Sequence, residues 1–331
     1  MEDKNMRLSL KFVAGLIASL TIGLCFISST RAQIAGPHFG TWSALELVTA
    51  VSQPGQTEYA NSLSHDGQRF YFMRGGDIYV AHRADQASEW GDIVKLPDTV
   101  NTLGTEQNAF ETIDGHWLYF GSTRLGGVGG SDIWVSWRKN VHDDQGWQQA
   151  VNVTAVNTPG FENAPILFEN KETGATELYF AASPPCPLAP CLPGTGTQAG
   201  ADIYISVLGP NGFGPPQIVT DINDVTHHDG KPYLRRDGLE LIFESYRLGP
   251  PPMSTGGAIF VATRSSTVEA WGEVNLIIQG PAVGSGMPGD RWITTPVLSR
   301  DAETLYVAVN EPGTDYGDIY VAHREKITGP K

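Results

Sequence analysis

The sequence predicts an all-β chain: a five-bladed β-propeller of four-stranded blades, closed by an N-terminal strand that pairs into the last blade. Three observations carry this expectation. A phrase of two apolar runs, the second opening on Asp-Ile-aromatic-Val or a close variant (Ile205 ends it in the third copy and Ala258 opens it in the fourth), recurs five times, at 77, 132, 202, 258 and 318. The steps between copies are 55, 70, 56 and 60 residues, the period of a repeat built from short strands. Asp-Gly turns separate the runs in three copies, with Asp301-Ala302 in the fifth, and no amphipathic helix of usable length follows residue 32.

The elements follow in order. In the first copy, Tyr59 to Ser64 leads into the turn His65-Asp66-Gly67-Gln68; Arg69 to Met73, Asp77 to His82 and Ile93 to Leu96 complete a blade. Asp-Gly between apolar runs is a strong hairpin signal, with both turn positions expected at positive φ. The later copies carry Leu118-Tyr119-Phe120, Leu178-Tyr179-Phe180, Leu241-Ile242-Phe243 and Leu305-Tyr306-Val307. An aromatic opens the fourth strand of four units: Trp90, Trp147, Phe213 and Trp271. The fifth unit lacks this strand, and Trp42 to Val48 has the same pattern as Trp271 to Ile277, so the N-terminal strand is expected to close the ring. Three Pro- and Gly-rich loops, Ser183–Gly200, Gly249–Gly257 and Gly280–Gly289, depart most from the repeat.

Residues 1–32 read as a secretory signal peptide, with Lys4, Arg7 and Lys11 before an apolar stretch and Thr30-Arg31-Ala32 as cleavage site. Residues 33–331 then form a single propeller domain in a secreted or periplasmic protein, with no membrane insertion after cleavage. Cleavage leaves 18 Lys+Arg against 34 Asp+Glu, a surface that repels phosphate backbones and excludes nucleic acid as a partner. Cys186 and Cys191, in one Pro-rich loop, are expected to form a local disulfide.

The phrase Ser64-x-Asp66-Gly67-x-x-Phe70-Tyr71-Phe72, with Ser122-Thr123-Arg124 running on to Asp132-Ile133-Trp134-Val135, resembles the TolB-type, WD-like β-propeller repeat of the bacterial envelope. The resemblance covers nearly all of the chain after residue 32. It implies a protein-binding platform, and some related propellers are carbohydrate-active enzymes.

Glu58, Glu106, Glu162 and Asp229 occupy one equivalent position at the start of the first strand of four units, and Ile293 takes it in the fifth. If first strands line the channel, these acids ring one end of it. Two readings stay open: a carboxylate cluster for acid/base work on a glycoside, or a structural residue of the unit that bonds backbone donors. Arg74, Arg124 and Arg247, with Arg83, Arg138, Arg264 and Arg324, are expected to partner the acids Asp77, Asp132, Asp202 and Asp318 before the third strands. Residues that the repeat does not explain are the better functional candidates: His227 and His228 leading into the fourth unit, and Arg291 with Trp292 leading into the fifth. No metal-ligand set and no cofactor motif appears. The expected function is a binding or scaffold module for a protein or envelope glycan at the channel face. The alternative is a glycoside hydrolase or lyase that uses the mouth carboxylates with His228.

Overall fold

The computed structural model describes residues 38–184, 200–248, 257–279, 292–310 and 317–327, all within one compact unit. The expected signal peptide, the Cys186–Cys191 pair and Arg291 lie outside the described residues. Five antiparallel sheets form the propeller. Blade 1 is Glu58–Leu63, Arg69–Arg74, Asp77–His82 and Gly91–Lys95; blade 2 is Glu106–Glu111, Trp117–Ser122, Asp132–Trp137 and Val151–Asn152. Blade 3 is Phe161–Glu169, Thr176–Ser183, Asp202–Gly209 and Gln217–Ile218; blade 4 is Asp229–Leu234, Glu240–Ser245, Ala258–Thr263 and Asn275–Ile278. Blade 5 is Ile293–Leu298, Thr304–Asn310 and Gly317–His323, and its outer strand is the N-terminal Glu46–Leu47. The expected closure is therefore present, with Leu47 paired to Tyr320.

Two details differ from the sequence expectation. In the Asp-Gly hairpins only glycine takes positive φ, at +72° for Gly67, +73° for Gly115 and +72° for Gly238. The aspartate instead folds its side chain back, as when Asp66 Oδ1 accepts the Gln68 amide at 3.0 Å. Phe213 also does not open the outer strand of blade 3; it forms a small hairpin with Leu208 ahead of that strand.

The blade-opening aromatics have a shared task. The arginine after the third strand lies over them: Arg83 over Trp90 at 4.1 Å, Arg138 over Trp147 at 4.2 Å and Arg264 over Trp271 at 4.2 Å. In the fifth blade Arg324 covers Trp42 at 4.4 Å, so the N-terminal segment supplies the missing ring as well as the missing strand. Each of these arginines also donates Nε to a carbonyl of the hairpin turn, at Gly67, Gly115, Gly238 or Ala302. They are thus turn locks and not partners of the third-strand aspartates. Between blades 1 and 2, Glu111 receives Tyr71 at 2.8 Å, Arg69 at 3.1 Å and Arg138, all buried.

Candidate functional site

Each expected channel acid sits inside the blade packing and is fully buried. Glu106 accepts the Thr102 amide at 2.9 Å, the Thr102 and Ser122 hydroxyls at 2.7 Å, and Arg124 at 3.3 Å. Glu58 takes the Gln53 amide and Arg74 Nε; Asp229 takes the Asp224 amide and Arg247 at 2.6 Å. Glu162 takes the amide and hydroxyl of Thr158. Arg74, Arg124 and Arg247 serve these first-strand acids, where the sequence reading gave them to the third-strand aspartates. Every acid therefore clamps the loop before its own strand. Blade 3 has no arginine in this clamp, and burial pushes Glu162 up to about 7.

The loop being clamped carries a second repeat that the sequence reading missed. Val100-Asn101-Thr102 and Val156-Asn157-Thr158 stand at the same distance before their acids, and Ile222-Asn223-Asp224 stands one residue further from Asp229. Asn101 exchanges bonds with both backbone groups of Ile78, Asn157 with those of Ile133, and Asn223 with those of Ile203. The asparagine ties the loop to the third strand of one blade, and the acid ties it to the first strand of the next. Ser52 does the same on Ile319 across the ring closure, with its hydroxyl 3.0 Å from the Ile319 amide.

At the start of the first strands, blades 4 and 5 bring together side chains that the repeat does not explain. In the second strands, the position held by Met73, Gly121, Ala181 and Ala308 in four blades is Glu244 in blade 4. Its carboxylate accepts the Thr294 hydroxyl from blade 5 and the Tyr246 hydroxyl. Burial and this acidic neighbour push the Tyr246 phenol well above its ordinary range. His228 stands alongside, with Nε2 3.7 Å from Glu244 Oε1 and its ring 4.6 Å from the Tyr246 ring. The Ala201 amide donates to His228 Nδ1 at 3.0 Å, which leaves the imidazole proton on Nε2. That Nε2 has no hydrogen-bond partner among the described residues, and burial lowers the imidazole's pKa.

Glycine makes the arrangement possible. Tyr59, Gln107, Asn163 and Thr294 occupy one first-strand position, and blade 4 has Gly230 there. A Cβ on Gly230 would stand 2.8 Å from His228 Nε2, so the imidazole fills the space that other blades give to a side chain. Trp292, 37% exposed, packs tilted beside Tyr246 at 5.9 Å and continues the aromatic surface outward. Deeper in the channel, Lys231 crosses to Asn108 Oδ1 at 3.0 Å, and burial lowers its pKa. Four first strands hold a non-glycine residue at positive φ at this level: Asn108, Ala164, Lys231 and Thr295. These bulges turn the strands' side chains toward the axis.

Of the sequence candidates, His228 and Trp292 meet at this mouth. His227 turns away to Asp224 Oδ1 at 3.0 Å and Thr226 at 2.9 Å. Among the described residues no group of three His, Cys, Asp or Glu side chains is placed to hold a metal ion. Glu244, Tyr246 and Lys231 were missed, although Glu244 is legible as the one acid in a row of small or apolar residues.

No family model matches the sequence, and no curated relative matches it. Solved structures do match in fold. The chain is similar to a thermostable family-43 glycoside hydrolase at 12% identity, with TM-score 0.52 over 85% of this chain and 92% of that one. It is also similar to the catalytic domain of a GH62 α-L-arabinofuranosidase from Coprinopsis cinerea, at 13% identity and TM-score 0.54, over 87% and 98% of the chains. A putative TolB from Agrobacterium tumefaciens aligns over 89% and 100% at 12% identity, with TM-score 0.46. At these identities the likeness is one of fold: a propeller architecture shared with glycoside hydrolases.

Proposed function

We propose that the protein is a carbohydrate-active propeller that takes a glycan at the Glu244 mouth. The observation that carries this reading is Glu244 itself, a buried carboxylate at a second-strand position where the repeat supplies no acid, with His228 Nε2–H unspent beside it. In this role Glu244 is the acid/base group. His228 donates to a sugar oxygen, and the Tyr246–Trp292 surface stacks against a pyranose or furanose face. The sharing of this fold with glycoside hydrolases supports a glycan as ligand. The setting proposed is extracytoplasmic, on the strength of residues 1–32.

A second reading, a glycan-binding module without turnover, is favoured by one observation. Glycoside hydrolysis ordinarily uses two carboxylates, and the four repeated acids are committed to loop clamps. A screen of polysaccharides and aryl glycosides with wild type and Glu244→Gln decides between them. Turnover that falls about 100-fold or more in Glu244→Gln is the expected result. Saturable binding with no turnover on any substrate selects the binding module, and turnover unchanged in the variant sinks the assignment to this mouth.

A further inference from the structure

The opposite end of the channel holds a separate cavity of about 160 Å³. Its walls are apolar, with Phe110, Ile166, Phe168 and Leu234 among them, and Tyr233 lies at its inner end. Tyr233 is held there by the Leu63 amide, which donates to its hydroxyl, and it also lines the narrow space at the channel waist.

The rim comes from the hairpin turns, and the repeat explains only part of it. In the turns Ser64-His65-Asp66, Thr112-Ile113-Asp114, Arg235-Arg236-Asp237 and Ser299-Arg300-Asp301, the aspartate is spent on a turn amide. The residue before it makes no such bond and faces the cavity, as His65, Ile113, Arg236 and Arg300; blade 3 adds Lys171 from its longer turn. Arg236 and Arg300 are exposed and have no carboxylate within ion-pair distance among the described residues. Two carboxylates line the same space. Glu111 is already held by Arg69 and Arg138, which leaves Glu169 alone against the cationic side chains. In a chain with 22 Lys+Arg against 36 Asp+Glu, a mouth of the opposite sign is not a consequence of composition.

We propose that this second mouth binds a small organic carboxylate with an apolar body, an aryl or medium-chain acid. The apolar portion fills the cavity down to Tyr233, and the carboxylate sits between Arg236 and Arg300, whose guanidinium forks suit it. His65 reports on the same point in space. Burial lowers its pKa first, and the charges of Arg236 and Arg300 lower it further, against Asp66 and Glu169.

The test titrates the full chain with 3-phenylpropionate, 3-phenylpropanol and acetate by calorimetry, and follows the His65 ring by NMR, assigned with His65→Gln. Saturable binding of 3-phenylpropionate is expected, with the alcohol and acetate each weaker by about tenfold or more. Arg236→Gln/Arg300→Gln should weaken the acid by about tenfold while leaving the alcohol unchanged. Both arginines are exposed, so the fold should stand, as circular dichroism will check. In wild type the bound acid should move the His65 titration to higher pH, because it offsets the two guanidinium charges. Equal binding of acid and alcohol, an unchanged double variant, an unmoved His65 titration, or no saturable binding of the acid each overturns the proposal.

Discussion

Glu162→Gln isolates the clamp of blade 3, the one first-strand acid whose clamp lacks an arginine. Folded, the Glu162 carboxyl keeps its proton to about pH 7; its ordinary value is 4.5. Between those values the folded state holds a proton that the unfolded chain has released. Stability from this group is therefore fully present below pH 4.5 and falls as pH rises through about 7. At 1.36 kcal/mol per pH unit the window is worth about 3 kcal/mol. Glutamine has nearly the same shape and satisfies both clamp partners: its carbonyl accepts the Thr158 amide and its amide group donates to the Thr158 hydroxyl. The variant should match wild type near pH 5 and exceed it by about 3 kcal/mol at pH 8.5, because it never buries a charge. Urea unfolding followed by tryptophan fluorescence from pH 5 to 8.5 measures this. Glu58, Asp229 and Glu111 are also pushed up by burial and act in the same direction, so wild type and variant will both slope. Curves that stay parallel across the range refute the account of Glu162.

Glu106→Gln should behave oppositely, losing about 3–5 kcal/mol of stability, because it leaves the buried Arg124 without its counter-charge; a variant within about 1 kcal/mol of wild type by urea unfolding contradicts the clamp. Trp42→Ala removes the ring beneath Arg324 and should cost about 2 kcal/mol, seen as a lower thermal midpoint, with no change expected at either mouth.

The blade count was legible because its strand pattern recurs five times, the Asp-Gly hairpins because they recur in three copies, and the Trp42 closure because its strand matches the outer strand that the fifth copy lacks; repetition averages out the noise of any one segment. The same repetition marks Glu58, Glu106, Glu162 and Asp229 as parts of the unit, and the clamps give that a physical content. Their bonding partners were harder to find. Arg74 is the last residue of its second strand, whereas Arg124 and Arg247 stand two residues beyond theirs, yet all three reach the same carboxylate position. Only the fold makes those offsets equivalent. Glu244 lay within reach of a row-by-row comparison of second strands, and the Val-Asn-Thr loops within reach of one made upstream of the acids.

The sequence by itself determined the architecture: strand alternation, turn residues and period are properties of neighbouring residues, and they leave a propeller of five units with its ring closed from the N-terminus. Which carboxylates face the channel was decided by tertiary structure alone. Side-chain direction at the first-strand position depends on the bulges at Asn108, Ala164, Lys231 and Thr295 and on the loops that compete for the acid. The repeated acids therefore turn into the loop clamps, while Glu244, from the second strand of blade 4, lies beside an imidazole that Gly230 leaves room for.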